Sequence, residues 1–134
     1  MADFTTGNVG EFSWYELTTQ NVDAAKPFYQ ELFGWTIEQS KLSPVPYSEI
    51  TVNGTAVGGM MRIDEQWGEG WDKIPPHWMT YITVENVDAT VEVIKANGGS
   101  LCFPAFDLPN IGRLAVCGDP SGAVFTIIQF NAPA

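Results

Sequence analysis

Apolar and polar residues alternate along 11–18, with Phe12, Trp14 and Glu16 on one face and Ser13, Tyr15 and Leu17 on the other. That two-residue period is the mark of a strand. The period then lengthens. After Asn21, a good helix N-cap, Val22, Ala25, Phe28, Tyr29 and Leu32 follow at helical spacing until Gly34 stops the run. Pro27 falls in the first turns, where a missing N–H costs less than in the middle. Three more strands are predicted over 35–42, 47–52 and 56–63, separated by Ser43-Pro44-Val45-Pro46 and by Asn53-Gly54, a strong hairpin signal. Residues 64–76 mix charges with two glycines and two prolines and read as a linker.

The same order then recurs. A strand over 78–84 leads to a second N-cap, Asn86, and to Val87, Thr90, Val91, Ile94 and Lys95 along a helix that Gly98-Gly99 ends. Strands over 100–106, 113–118 and 123–130 follow, the last two joined by the turn Asp119-Pro120-Ser121-Gly122. Asn21-Val22-Asp23-Ala24 reappears as Asn86-Val87-Asp88-Ala89, 65 residues further on, and the same register sets 14–19 against 79–84. A repeat fixes the architecture before any other signal. The expected fold is α+β, one domain over 1–134 built from two tandem βαβββ modules that form a curved mixed sheet around a central cleft. Module one covers about 9–63, the linker 64–76 and module two about 77–130. Tyr15, Leu17, Thr80, Ile82 and Val84 are expected on the helix side, in the core. The opposite face is the expected home of a small ligand.

Charge narrows the partners. A formal net charge of −10 argues against nucleic acid and against an anionic membrane surface. No stretch has transmembrane length and no basic-then-apolar leader is visible, so a cytoplasmic protein is the expectation. Cys102 and Cys117 stand symmetrically about the turn candidate 108–111, which would set them opposite each other in a hairpin. Reduced thiols are expected there, as in most cytosolic proteins.

The doubled unit, the helix end Phe28-Tyr29-Gln30-Glu31-Leu32-Phe33-Gly34-Trp35 and the closing Asp119-Pro120-Ser121-Gly122-Ala123 resemble the vicinal oxygen chelate superfamily. That group includes glyoxalase I, extradiol dioxygenases and bleomycin-resistance proteins. The resemblance runs from about Val9 to Phe130. Val57-Gly58-Gly59-Met60, Pro75-Pro76-His77-Trp78-Met79 and 107–116 are similar to a bacterial subgroup known as glyoxalase-like. The resemblance implies a homodimer. In metal-dependent members it also implies His, Gln or Glu ligands at the positions held here by Trp14, Gly59, Met79 and Thr126. None of these four suits a hard or borderline cation. The expectation is therefore no metal and no cofactor, with an atypical divalent ion on His77 and Glu16 as the alternative.

The remaining cleft set is Phe12, Trp14, Glu16, Gly59, Met61, Met79, Tyr81 and Thr126, with Val57, Val124 and Ile128 beside them, an aromatic and Met-rich lining for a flat or apolar molecule. Glu16 and Tyr81 correspond in the repeat and would face each other. A carboxylate in such surroundings could serve as acid or base. Arg113 is read either as a ligand contact or as the partner of Asp107 across the hairpin. Trp67 and Trp71, in the linker, could anchor, cover the site or meet another chain.

Three functions compete on this basis. One is a metal-free small-molecule binder of the bleomycin-resistance kind, aided toward cationic compounds by the acidic charge. Another is a lyase, isomerase or dioxygenase using Glu16, Tyr81 and His77 or an atypical metal. The third is a partner-binding module, for which only Trp67 and Trp71 speak.

Overall fold

In the computed structural model, residues 8–41, 47–63, 69–70, 73–108 and 111–130 are described. Trp67 and Trp71, and the turn residues Pro109 and Asn110, lie outside that set. The described chain forms two compact units. The first holds residues 14–41 and 47–78, the second 8–13 and 79–130, so β1 and β5 each begin in one unit and continue in the other.

The first unit carries most of β1 (Phe12–Thr19), then α1 (Val22–Phe33), β2 (Thr36–Gln39), β3 (Tyr47–Val52) and β4 (Thr55–Arg62). Asn21 starts the helix by accepting a hydrogen bond from the Ala24 N–H, and Gly34 ends it with a left-handed φ of 70°. The strand order is β2-β3-β4-β1, antiparallel except where β1 runs parallel to β4. Helix α1 lies on one face, where Leu17, Ile37, Ile50 and Met60 are buried and Val22, Ala25 and Tyr29 pack on them. Tyr15 departs from the expected core. It stays 48% exposed, and its carbonyl presses on Gly58, where a Cβ would come within 2.1 Å of it. Close backbone approach explains that glycine.

The second unit repeats the order with most of β5 (His77–Thr83), then α2 (Val87–Ala96), β6 (Ser100–Leu108), β7 (Gly112–Gly118) and β8 (Val124–Phe130). Its strands run β5-β8-β7-β6, with β5 parallel to β8. Asn86 caps α2 through the Ala89 N–H, and Val87 and Val91 pack on Ala115, Cys117 and Ile127. Asp119 closes the β7–β8 turn by accepting from the Ser121 hydroxyl and the Ser121 and Ala123 amides, which hold its carboxyl below the usual carboxylate range.

The two thiols do not oppose each other. Cys117 pairs with Leu101, and the register slips between Leu101 and Phe103, leaving Cys102 as the extra residue of a β-bulge. Both cysteines are free. Cys117 is buried, and burial pushes its thiol pKa up. A second slip falls across Pro104, which has no N–H to give the ladder. Among the described residues, no helix is long and apolar enough to cross a membrane.

Candidate functional site

The face of the first unit turned away from α1 is built around a glycine. Glu16 on β1 and Glu49 on β3 both pair with Gly59 on β4, so the two carboxylates flank it, about 10 Å apart at their Cα atoms. The Tyr47 ring lies over the same glycine, where a Cβ would come within 2.1 Å of the phenol oxygen. That oxygen accepts a hydrogen bond of 2.6 Å from the Trp14 indole N–H. Thr18 donates to Glu16 at 3.4 Å, and Glu16 is only 5% exposed. Met61 and Val57 complete the face, with Val57 at 36% exposure.

Tyr47 is the residue that sequence reasoning missed. Counting back from the Asn53-Gly54 turn pairs Val52 with Thr55 and would pair Tyr47 with Met60, on the helix side. A register shift between Ile50 and Thr51 skips Val57 and sets Tyr47 opposite Met61 instead. One extra residue exchanges the faces. The turn was readable; the bulge carried no signal of its own.

In the second unit, Tyr81 pairs with Thr126, which pairs with Val116. Leu114 and Ile128 lie on the same face, beside the Phe103–Phe106 pair packed edge to face at 5.5 Å. Met79 and Thr126 are buried. This face is apolar apart from Thr126, Tyr81 and Thr83.

Arg113 is not part of it. It stands on the α2 side, where its guanidinium meets Asp88 of the helix at 3.0 Å and Asp107 across the hairpin at 3.3 Å. The hydrogen bonds that it donates to Asp88 first, then to Asp107, raise its pKa. The sequence reading of an Asp107 partner holds, and the helix carboxylate joins it. Phe12, the first residue of β1, is 61% exposed. His77 places Nδ1 2.9 Å from the Pro75 carbonyl, a local contact at the start of β5.

The four positions that hold metal in the resembling family do not fit one here. Trp14 uses its only polar atom on Tyr47, and Gly59 has no room for any side chain under the phenol ring. Met79 offers a soft thioether and Thr126 a neutral hydroxyl, a poor donor set for a divalent ion. Among the described residues, no group of three or more His, Cys, Asp or Glu is placed to hold a metal.

Comparison with known proteins agrees with this fold. The model of the Glyoxalase/Bleomycin resistance protein/Dioxygenase superfamily matches residues 11–127. A Mycobacterium bovis protein named "Putative glyoxylase CFP32" is 39% identical over 127 residues, covering 91% of this chain and 46% of that protein. The anthracycline biosynthesis protein DauV of Streptomyces sp. is 32% identical over 127 residues, covering 88% and 46% respectively. The chain thus spans about half the length of these relatives. Methylmalonyl-CoA epimerase from Mycobacterium tuberculosis superposes with a TM-score of 0.64 at 18% identity, over 97% of this chain and 94% of that one, which is a likeness of fold.

The seat of Tyr47 can be tested directly. Gly59→Ala should lift the phenol off β4, break the bond to Trp14 and cost about 1–3 kcal/mol in urea unfolding. The Trp14 indole proton resonance should move with it. A variant of unchanged stability and unchanged indole shift would mean that the ring does not rest there.

Proposed function

Because the chain belongs to the Glyoxalase/Bleomycin resistance protein/Dioxygenase superfamily, we propose that it binds a flat, largely apolar organic molecule on the strand faces turned away from its helices, without a divalent ion. The observation that carries this reading is the Trp14–Tyr47 pair seated on Gly59, which puts two aromatic side chains where a metal ligand would otherwise stand. Aromatic faces favour offset or edge-on contact with a planar ligand, worth about 0.5–1.5 kcal/mol per pair beyond buried area. Met61 belongs to the proposed set on the first unit's face, and Phe12, Met79, Tyr81 and Thr126 are the proposed contacts of the second unit, taken by itself. A relative named for anthracycline biosynthesis supports a fused-ring ligand, and the net charge of −10 supports one carrying a cation.

A second reading, acid–base chemistry on the bound molecule by Glu16 with Tyr81 and His77, rests on the burial of Glu16 at 5% exposure. One experiment addresses both. An anthracycline titrated against tryptophan fluorescence should bind saturably, and Trp14→Ala and Tyr47→Ala should each weaken it about tenfold, or about 1.4 kcal/mol. Arg113→Ala, on the other face, should leave binding unchanged. Ligand recovered intact supports binding alone, whereas conversion that Glu16→Gln abolishes supports the second reading. Binding indifferent to both aromatic substitutions would contradict the first.

The proposal includes a homodimer formed through α1. That helix buries no residue fully, and Phe28, Leu32 and Phe33 remain 58%, 56% and 57% exposed. Behind them Tyr29 stacks on Trp35 at 5.5 Å and meets Trp78 edge-on at 5.4 Å, so the patch is backed by packed aromatic rings. Apolar patches of this kind mark interaction surfaces. Sedimentation should give a dimer that Phe28→Ser with Leu32→Ser converts to monomer. A monomeric parent protein would overturn this.

A further inference from the structure

Ser48 has a role to be explained. It faces α1 from β3, is only 4% exposed, and its hydroxyl has no hydrogen-bond partner among the described residues. Buried polar groups are seldom left so, and each such case needs a reason. No wholly enclosed side-chain polar atom among the described residues lacks a partner. The hydroxyl therefore keeps its access toward the space it lines, a cavity of about 340 Å³ inside the first unit.

The cavity lies where α1 begins. Register places Gln39 beside Ser48 and Ser48 beside Met60, and Arg62 follows two residues on along β4, so these side chains share the wall facing the helix. The opposite wall is the first turn of α1, including Asn21, Asp23 and Lys26. Asn21 satisfies the amides of Ala24 and Ala25, one through its side chain at 3.1 Å and one through its carbonyl at 3.3 Å. Val22 and Asp23, whose amides have no acceptor within the helix, also line the cavity, at the positive end of a 12-residue helix.

Charge points the same way. The chain has only 6 Lys and Arg residues against 16 Asp and Glu, yet two of the six, Lys26 and Arg62, line this one cavity with a single carboxylate, Asp23. Lys26 forms no ion pair among the described residues. Arg62 has a further partner and adds its charge to the same wall. Helix amides, two cations and an unused hydroxyl donor form a site for anionic oxygens.

We propose that this cavity binds a small oxyanion, a phosphate or carboxylate group, with Ser48 and the first turn of α1 donating hydrogen bonds and Lys26 and Arg62 supplying charge. Its wall is the helix side of the first unit's sheet, bordered by Tyr47, which also belongs to the aromatic face, whereas Trp14 does not line it.

Inorganic phosphate and acetate, each added to the full chain against chloride at equal ionic strength, test this by thermal unfolding and by amide shifts. At least one should raise the melting temperature saturably and move the Val22 and Asp23 amide resonances. A response to phosphate alone identifies a phosphoryl ligand; a response to acetate identifies a carboxylate. Lys26→Gln should weaken the responding anion about tenfold. Ser48→Ala should weaken it as well, while raising the melting temperature of the anion-free protein. Trp14→Ala should leave anion binding intact, so this site and the aromatic one fail separately. Neither anion exceeding chloride, or full binding by Lys26→Gln, would overturn the proposal.

Discussion

The Tyr47 phenol rests on the bare backbone of Gly59 and takes the indole proton of Trp14, and the open face of the first unit depends on that contact. It needs a glycine, because any Cβ would occupy the ring's place. It also needs the skipped residue at Val57, because without it Tyr47 would join the helix side. With both in place, Trp14 has spent its one polar atom and no donor projects from Gly59. The chemistry available on this face is aromatic, with Glu16 and Glu49 on either side. Two of the four positions that the resemblance assigns to metal ligands, Trp14 and Gly59, here form the seat of an aromatic pair.

The two faces of the first unit's sheet divide the work. The helix side is apolar at its centre, through Leu17, Ile37, Ile50 and Met60, and turns polar only at the start of α1. Asn21 helps make that end polar, since capping requires a side-chain acceptor and leaves two amides over. In the second unit, Arg113 occupies part of the helix side instead, tied to α2 through Asp88. The repeat is therefore close in backbone order and different in surface chemistry.

Backbone order was legible because its signals are local. Asn21 and Asn86 announced both helices, Gly34 ended the first, and alternation located the strands to within a few residues. The repeat then supplied strand equivalence without any further information. What escaped was register. The bulges at Val57 and Cys102 have no distinctive residue, and each moves its neighbours by one place. The first turned Tyr47 to the open face, and the second separated two thiols that symmetry had paired. Tyr15 escaped for a related reason, since alternation predicts a side chain's face but not how far the helix extends over it. Of the candidate site, parity set Trp14 and Glu16 on one face, and Gly59 was added only by the family resemblance. Tyr47, the side chain that joins two of them, was placed by neither. The Ser48 cavity had no sequence signal, because it arises from a strand end and a helix start brought together by the fold.

The central claim is that the open faces hold an organic ligand and no divalent ion. Elemental analysis of protein purified without a histidine tag, before and after chelation, tests it most directly. A metal-free protein should carry far less than one equivalent of Zn, Ni, Fe or Mn, with a melting temperature that chelation leaves unchanged. One equivalent of any of these metals, lost on Glu16→Ala or His77→Ala, would contradict it.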